Sequence, residues 1–217
     1  MISVLVLISG RGSNLASLLR AADSGAMPAR IVGVIANRAE AQGLQLAREH
    51  GVPTRVLEHR LFAERQQFDE ALAEAIDGFA PDLVVLAGFM RILGAAFVGR
   101  YAGRLINIHP SLLPAFPGLH THRRALSAGV RIHGCSVHFV TADLDHGPVI
   151  VQAAVAVLDA DDEETLAARV LAQEHRIYPL AVRWFAEGRL RLLDGRVLLA
   201  APQDGGAVLI APQVAVG

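Results

Sequence analysis

The apolar positions fall into short runs whose spacing alternates between strand and helix. Ile2–Ile8 is nearly continuous in apolar residues, which suits a strand buried on both faces. Leu15, Leu18 and Leu19 then follow a helical spacing that stops near Gly25. Ile31–Ala36 reads as a second strand, Ala41–His50 as a helix closed by Gly51, and Thr54–Leu57 as a short third strand. Phe62–Phe79 places Phe68, Leu72 and Ile76 on one helical face, with Pro81 as its stop. Leu83–Ala87 is another buried strand, and Arg104–Ile108 is the last parallel candidate. Strands alternating with helices predict an α/β fold with a doubly wound, mostly parallel sheet and right-handed crossovers.

The second half has a different rhythm. Ile132–Val140 and Val149–Val157 both suit strands and enclose Asp143-Leu144-Asp145-His146-Gly147-Pro148. They predict an antiparallel strand pair with an irregular connection. Acidic residues from Asp161 to Glu164 fill the first turn of a helix, where they favour its dipole. That helix runs toward Arg176, and Pro179 is expected to kink it or to separate it from a following helix. Leu190–Leu193 and Val197–Leu199 flank Asp194-Gly195, a hairpin signal. No repeat or linker divides the chain, so one domain is expected over residues 1–200, with a poorly ordered tail over 201–217.

Composition narrows the function. With 217 residues the chain is long enough to bury a large core. Hydrophobic residues make up 53% and the mean hydropathy is +0.39. Even so, the apolar runs fall short of the roughly 20 residues a membrane helix needs. No basic leader precedes the first strand, so a cytoplasmic location is expected, without a membrane partner. Twenty basic residues face 21 acidic ones, a balance that argues against nucleic-acid binding. The absence of lysine rules out Schiff-base and P-loop lysine chemistry. A single cysteine, Cys135, excludes an internal disulfide and fits a small buried side chain in a strand.

Three segments carry candidate chemistry. Gly10-Arg11-Gly12-Ser13-Asn14 lies between the first strand and the first helix, where a backbone turn can hold an anion. The competing reading is an ordinary turn, with Ser13 or Asn14 as N-cap. The dinucleotide fingerprint is incomplete, since Leu15 stands at its third glycine and Asn37 ends the second strand. A single phosphate therefore fits better. Gly88-Phe89-Met90-Arg91-Ile92-Leu93 puts apolar side chains and open backbone at a ligand-binding edge, although such loops often only pack under their neighbours. Finally, Asn107 and His109 share one face of an apolar strand and begin a stretch with three prolines. Asp145 lies on a turn that can fold back onto them. An amide, an imidazole and a carboxylate can stabilise an oxyanion and move one proton without a metal or a covalent nucleophile. His120 and His122, with Asp145 or His146, are a weaker zinc candidate, and Ser111 sits in no nucleophile elbow.

Taken together, S-G-R-G-S-N, L-A-G-F-M-R-I-L, N-I-H-P-S-L-L-P-A-F-P-G-L-H-T-H, S-V-H-F-V and D-L-D-H-G-P resemble the folate-dependent formyltransferases. The likeness runs from about Ser3 to Gly188 and implies a Rossmann-like formyltransferase fold with an antiparallel strand added in the C-terminal half. It also implies transfer of the formyl group of 10-formyltetrahydrofolate to the amine of 5-phosphoribosylglycinamide in purine synthesis, with no metal. By resemblance Asn107, His109 and Asp145 are catalytic, with Asp145 keeping His109 protonated. Gly12, Ser13 and Asn14 hold the substrate phosphate, and Glu174 meets the glycinamide end. Arg65, Leu86, Met90, Arg91, Ile92, Leu93, Asn107 and Val140 contact the folate. The assembly expected is a monomer or a homodimer. The chain departs from the pattern at His146, where close relatives often carry a small residue. Formyltetrahydrofolate hydrolases and methionyl-tRNA formyltransferases share the core but add a domain, which is not expected here. A folate-binding protein without turnover is the non-enzymatic alternative, against which the intact trio speaks.

Overall fold

A computed structural model of the chain describes residues 1–201 and residue 211, so the expected tail lies almost wholly outside the described residues. The strands are β1 (Ile2–Ile8), β2 (Ala29–Ala36), β3 (Thr54–Val56), β4 (Leu83–Leu86), β5 (Leu105–His109), β6 (Ile132–Phe139) and β7 (Val149–Ala156). They form one sheet in the order β3-β2-β1-β4-β5-β6-β7. Pairing is parallel from β3 to β5, while β6 is antiparallel to both β5 and β7. β6 is therefore the one reversed strand of the seven. The hairpin β8 (Leu190–Leu193) and β9 (Arg196–Leu199) turns at Asp194-Gly195 as its sequence predicts.

Helices α1 (Ser13–Asp23), α2 (Gly43–Glu49), α3 (Arg65–Asp77), α4 (Ala95–Arg100), α5 (Thr121–Ser127) and α6 (Glu163–Ala186) complete the chain. Strand alternation builds two cores. Val4, Val6, Val85, Ile106 and Val137 pack with α1, α2 and α6 on one face. Leu5, Leu7, Val84 and Leu105 pack with α3 and α4 on the other. β1 and β4 are neighbours from which the chain leaves in opposite directions, the switch point where such sheets leave a crevice.

Two expectations are corrected. The third helix starts at Arg65 rather than Phe62, behind a 3₁₀ turn over His59–Leu61. Phe62 still contributes, since its ring meets Phe68 edge-on at 5.6 Å from outside the helix. Pro179 does not divide the last helix, because α6 runs 24 residues through it. An interior proline costs about 3 kcal/mol. Ile177, Tyr178, Ala181 and Val182 are all buried on either side of it, and full burial of a large apolar side chain contributes roughly 1.5–3 kcal/mol. The packed stripe wins, and an Asp162–Thr165 capping box secures the helix start.

Candidate active site

β5 divides its side chains by face. Ile106 and Ile108 belong to the first core, so Asn107 and His109 project to the other side. β6 repeats the pattern, with Cys135 and Val137 in the first core and Ser136 and His138 opposite. The register sets Asn107 against His138 and His109 against Ser136. Four polar side chains thus form a patch on one face of the sheet.

Two loops close over this patch. From the loop after β5, the Ser136 hydroxyl is bonded to the Ser111 carbonyl at 2.7 Å and accepts the Leu113 N–H at 3.0 Å. From the loop after β6, Asp145 brings one carboxylate oxygen to 3.5 Å from His109 Nδ1, both side chains being 7% exposed. The same oxygen accepts the Gly118 N–H at 2.8 Å, tying the loops together. Asp145 has φ 55°, a left-handed conformation that aspartate tolerates better than most residues. The other nitrogen of His109, Nε2, donates to the Phe116 carbonyl at 3.0 Å. His109 therefore meets a carboxylate on one side and a carbonyl on the other, so both ring nitrogens face acceptors.

Asn107 is half-buried, and its Nδ2 lies 3.2 Å from His138 Nε2. His138 was not among the expected site residues, although the signal was present. Ser136 and His138 alternate through the apolar strand just as Asn107 and His109 do. The Nδ1–H of His138 donates to the Phe139 carbonyl at 2.9 Å, and burial lowers its pKa below the ordinary histidine value.

The turn after β1 is built differently from its sequence expectation. Gly12, with φ 79°, is the N-cap of α1, and neither Ser13 nor Asn14 caps the helix with its side chain. Both lie inside the first turn, where the backbone N–H groups remain available to an anion. A Cβ at Gly12 would stand 2.8 Å from the Gly43 Cα, so close packing against α2 already demands this glycine. Asn14 instead donates from Nδ2 to Glu174 at 2.7 Å, which brings two of the expected site residues together. Burial raises the pKa of Glu174, and the bond from Asn14 works against it.

The loop after β4 is fastened by the Met90 N–H, which donates to Ser9 Oγ at 2.7 Å, and by the Gly94 N–H, which donates to Asp69 at 2.8 Å. Met90 and Ile92 are 60% and 59% exposed, while Leu86 and Leu93 are buried in the second core. Val140 packs half-buried against that core. Arg65 and Arg91 both lie near Asp69, whose carboxyl is raised chiefly by burial despite these cations. His146 is exposed, with Nδ1 donating to the Leu144 carbonyl at 2.6 Å. Beside it Pro117, Gly118, Asp143 and Leu144 line an open cleft of about 540 Å³. Cys135 is buried as expected, its thiol pushed up to about 12. Among the described residues no cluster of His, Cys, Asp and Glu forms a metal-ligating group, and no helix is long and apolar enough to cross a membrane.

Residues 2–182 match the formyl transferase family. The chain is 52% identical to phosphoribosylglycinamide formyltransferase of Escherichia coli (strain K12) over 202 residues, covering 90% of this chain and 95% of that one. It is 44% identical to the Haemophilus influenzae protein of the same name, covering 94% and 98%. Its fold superposes on the crystal structure of glycinamide ribonucleotide transformylase 1 from Symbiobacterium toebii with a TM-score of 0.90 at 50% identity, covering 92% of this chain and 94% of that one.

Proposed function

The chain belongs to the formyl transferase family, and from that premise we propose how its site carries out formyl transfer in purine biosynthesis. It is a phosphoribosylglycinamide formyltransferase in activity, a reading favoured over the hydrolase, tRNA-directed and non-catalytic alternatives by relatives matched over nearly their whole length. The formyl donor is 10-formyltetrahydrofolate and the acceptor is the amine of 5-phosphoribosylglycinamide. The observation that carries the mechanism is the convergence of Asn107, His109 and Asp145 beneath two loops.

The amine nitrogen attacks the formyl carbon, a C–N bond forms, and the carbonyl electrons move onto oxygen. Asn107 donates an N–H to that oxyanion, and His109, as the imidazolium paired with Asp145, stabilises it and serves the proton path. The C–N10 bond then breaks as the electrons return. The proton lost by the amine reaches the folate nitrogen, through water. The first turn of α1 at Gly12, Ser13 and Asn14 holds the phosphate. Glu174, joined to Asn14, faces the glycinamide end. The exposed Met90 and Ile92 are the apolar surface the pterin covers, with Leu86, Leu93 and Val140 behind them and Arg65 and Arg91 toward the carboxylated tail of the folate. The protein works in the cytoplasm as a single domain, monomeric or homodimeric, on small-molecule substrates alone.

The test mixes protein, formyl donor and phosphoribosylglycinamide and follows deformylated folate together with formylated product. Equal appearance of both is the expected result. Deformylation that proceeds unchanged without the glycinamide substrate would make the protein a hydrolase.

A further inference from the structure

His138 occupies a position where an apolar side chain would be cheaper. It is 2% exposed, and an imidazole buried in a strand must satisfy both nitrogens or lose free energy. The structure satisfies both. The Phe139 carbonyl can only accept, so Nδ1 carries the hydrogen of that 2.9 Å bond. Burial lowers the ring's pKa below the ordinary histidine value, which favours the neutral ring with a lone pair on Nε2. The group 3.2 Å from that lone pair is the Asn107 amide, and only its N–H face can meet it. Turned over, the amide would set its oxygen against the lone pair, two acceptors facing each other. One tautomer on β6 thereby decides the orientation of a side chain on β5.

We propose that His138 is a positioning residue that fixes the Asn107 amide with its nitrogen toward the site. The amide nitrogen has two hydrogens. His138 takes one, and the other remains for the oxyanion. Without His138 the amide can rotate and present its oxygen, which repels the developing charge instead of stabilising it. Asp145 lies 3.9 Å from His138 Nε2, outside hydrogen-bond reach, so it does not supply this orientation. The proposal rests on the reading of Asn107 as the oxyanion donor.

A double-mutant cycle tests it. His138→Leu should lower kcat about 10- to 100-fold, part of the 10²–10³ that loss of an oxyanion donor costs, with KM for both substrates within about threefold. In an Asn107→Ala background the same change should cost no more than about twofold, because the group it orients is gone. His138→Gln offers an acceptor oxygen and should recover part of the lost kcat. If His138→Leu does not fold, His138→Met, similar in volume and lacking a strong acceptor, replaces it in the cycle. Losses that add fully in the double variant would overturn the proposal while leaving Asn107 catalytic. A normal kcat in Asn107→Ala alone would overturn the oxyanion reading beneath it.

Discussion

Asp145→Asn isolates the charge of the proposed catalytic pair from its shape. Asparagine is isosteric and also tolerates the left-handed φ of 55° found at this position, so the loop backbone has no reason to move. Its amide oxygen can keep the 2.8 Å bond from the Gly118 N–H. What changes is the charge, because that same oxygen lies 3.5 Å from His109 Nδ1 and becomes a neutral amide oxygen. With an effective dielectric of about 20, charges at that separation attract by about 5 kcal/mol, a ceiling near 3.5 decades of rate. Water entering the loops and relaxation of the ring reduce this, so a fall in kcat of about 10²–10³ is expected. Substrate binding does not use this charge, so both KM values should stay within about threefold. Steady-state assays with each substrate varied in turn give the numbers. A variant whose kcat lies within about threefold of the unmodified enzyme would show that Asp145 only ties the two loops together.

Further outcomes follow from particular contacts. Asn107→Ala should lose about 10²–10³ in kcat with little change in folate KM, whereas equal losses in both would make Asn107 a ground-state binding residue. Gly12→Ala should lower thermal stability before it alters catalysis, because its Cβ would meet the Gly43 backbone at 2.8 Å and its φ is 79°. An unchanged Tm would refute that account. Tyr178→Phe leaves the Leu86 carbonyl without the hydroxyl that donates to it at 2.8 Å and should cost about 1–3 kcal/mol in urea unfolding; a change near zero would mean that water takes the hydroxyl's place. His133 is nearly fully buried, and burial above all, then the neighbouring His122, lowers its pKa to about 4. The unfolded chain takes up that proton at higher pH than the folded one, so stability should fall as pH drops from about 6.5 toward 4. His133→Gln should flatten that slope, and an unchanged slope would place the acid sensitivity elsewhere.

The sheet was legible because each strand signals its own environment. Ile2–Ile8 and Leu83–Leu86 are apolar on both faces, as strands covered by helices must be. The reversal at β6 was equally visible, since no helix separates Ile132–Phe139 from Val149–Ala156. The short helices α4 and α5 were not anticipated. α4 has six residues and a Gly94 N-cap without a side-chain bond. α5 follows His120 at φ 57°, again without a side-chain cap. Such helices exist because tertiary contacts hold them, and residues such as Phe97 and Ala125 become buried only when the sheet is already present. Pro179 shows the same limit from the other direction. Local chemistry predicts a break, but the stripe around Tyr178 is worth more than the bond the proline forfeits.

The site was legible where function and burial conflict, and hidden where structure and function share a residue. Asn107 and His109 stood out because polar side chains on a buried strand face need a purpose. His138 carried the same signal on the neighbouring strand, yet its partner lies 31 positions away in sequence, a pairing that only the register of β5 and β6 supplies. Gly12 carries a demand that the sequence did not show. Its glycine invites a reading in terms of an approaching anion, and the nearest atom to its missing Cβ is also the backbone of Gly43. Asn14 likewise had two plausible local roles, cap and ligand, and the fold gives its amide a third, a 2.7 Å bond to Glu174. That bond orients both side chains before any substrate arrives, and it leaves Asn14 Oδ1 without a partner among the described residues. The contact joins α1 to α6 across 160 positions, which no single stretch of sequence could reveal.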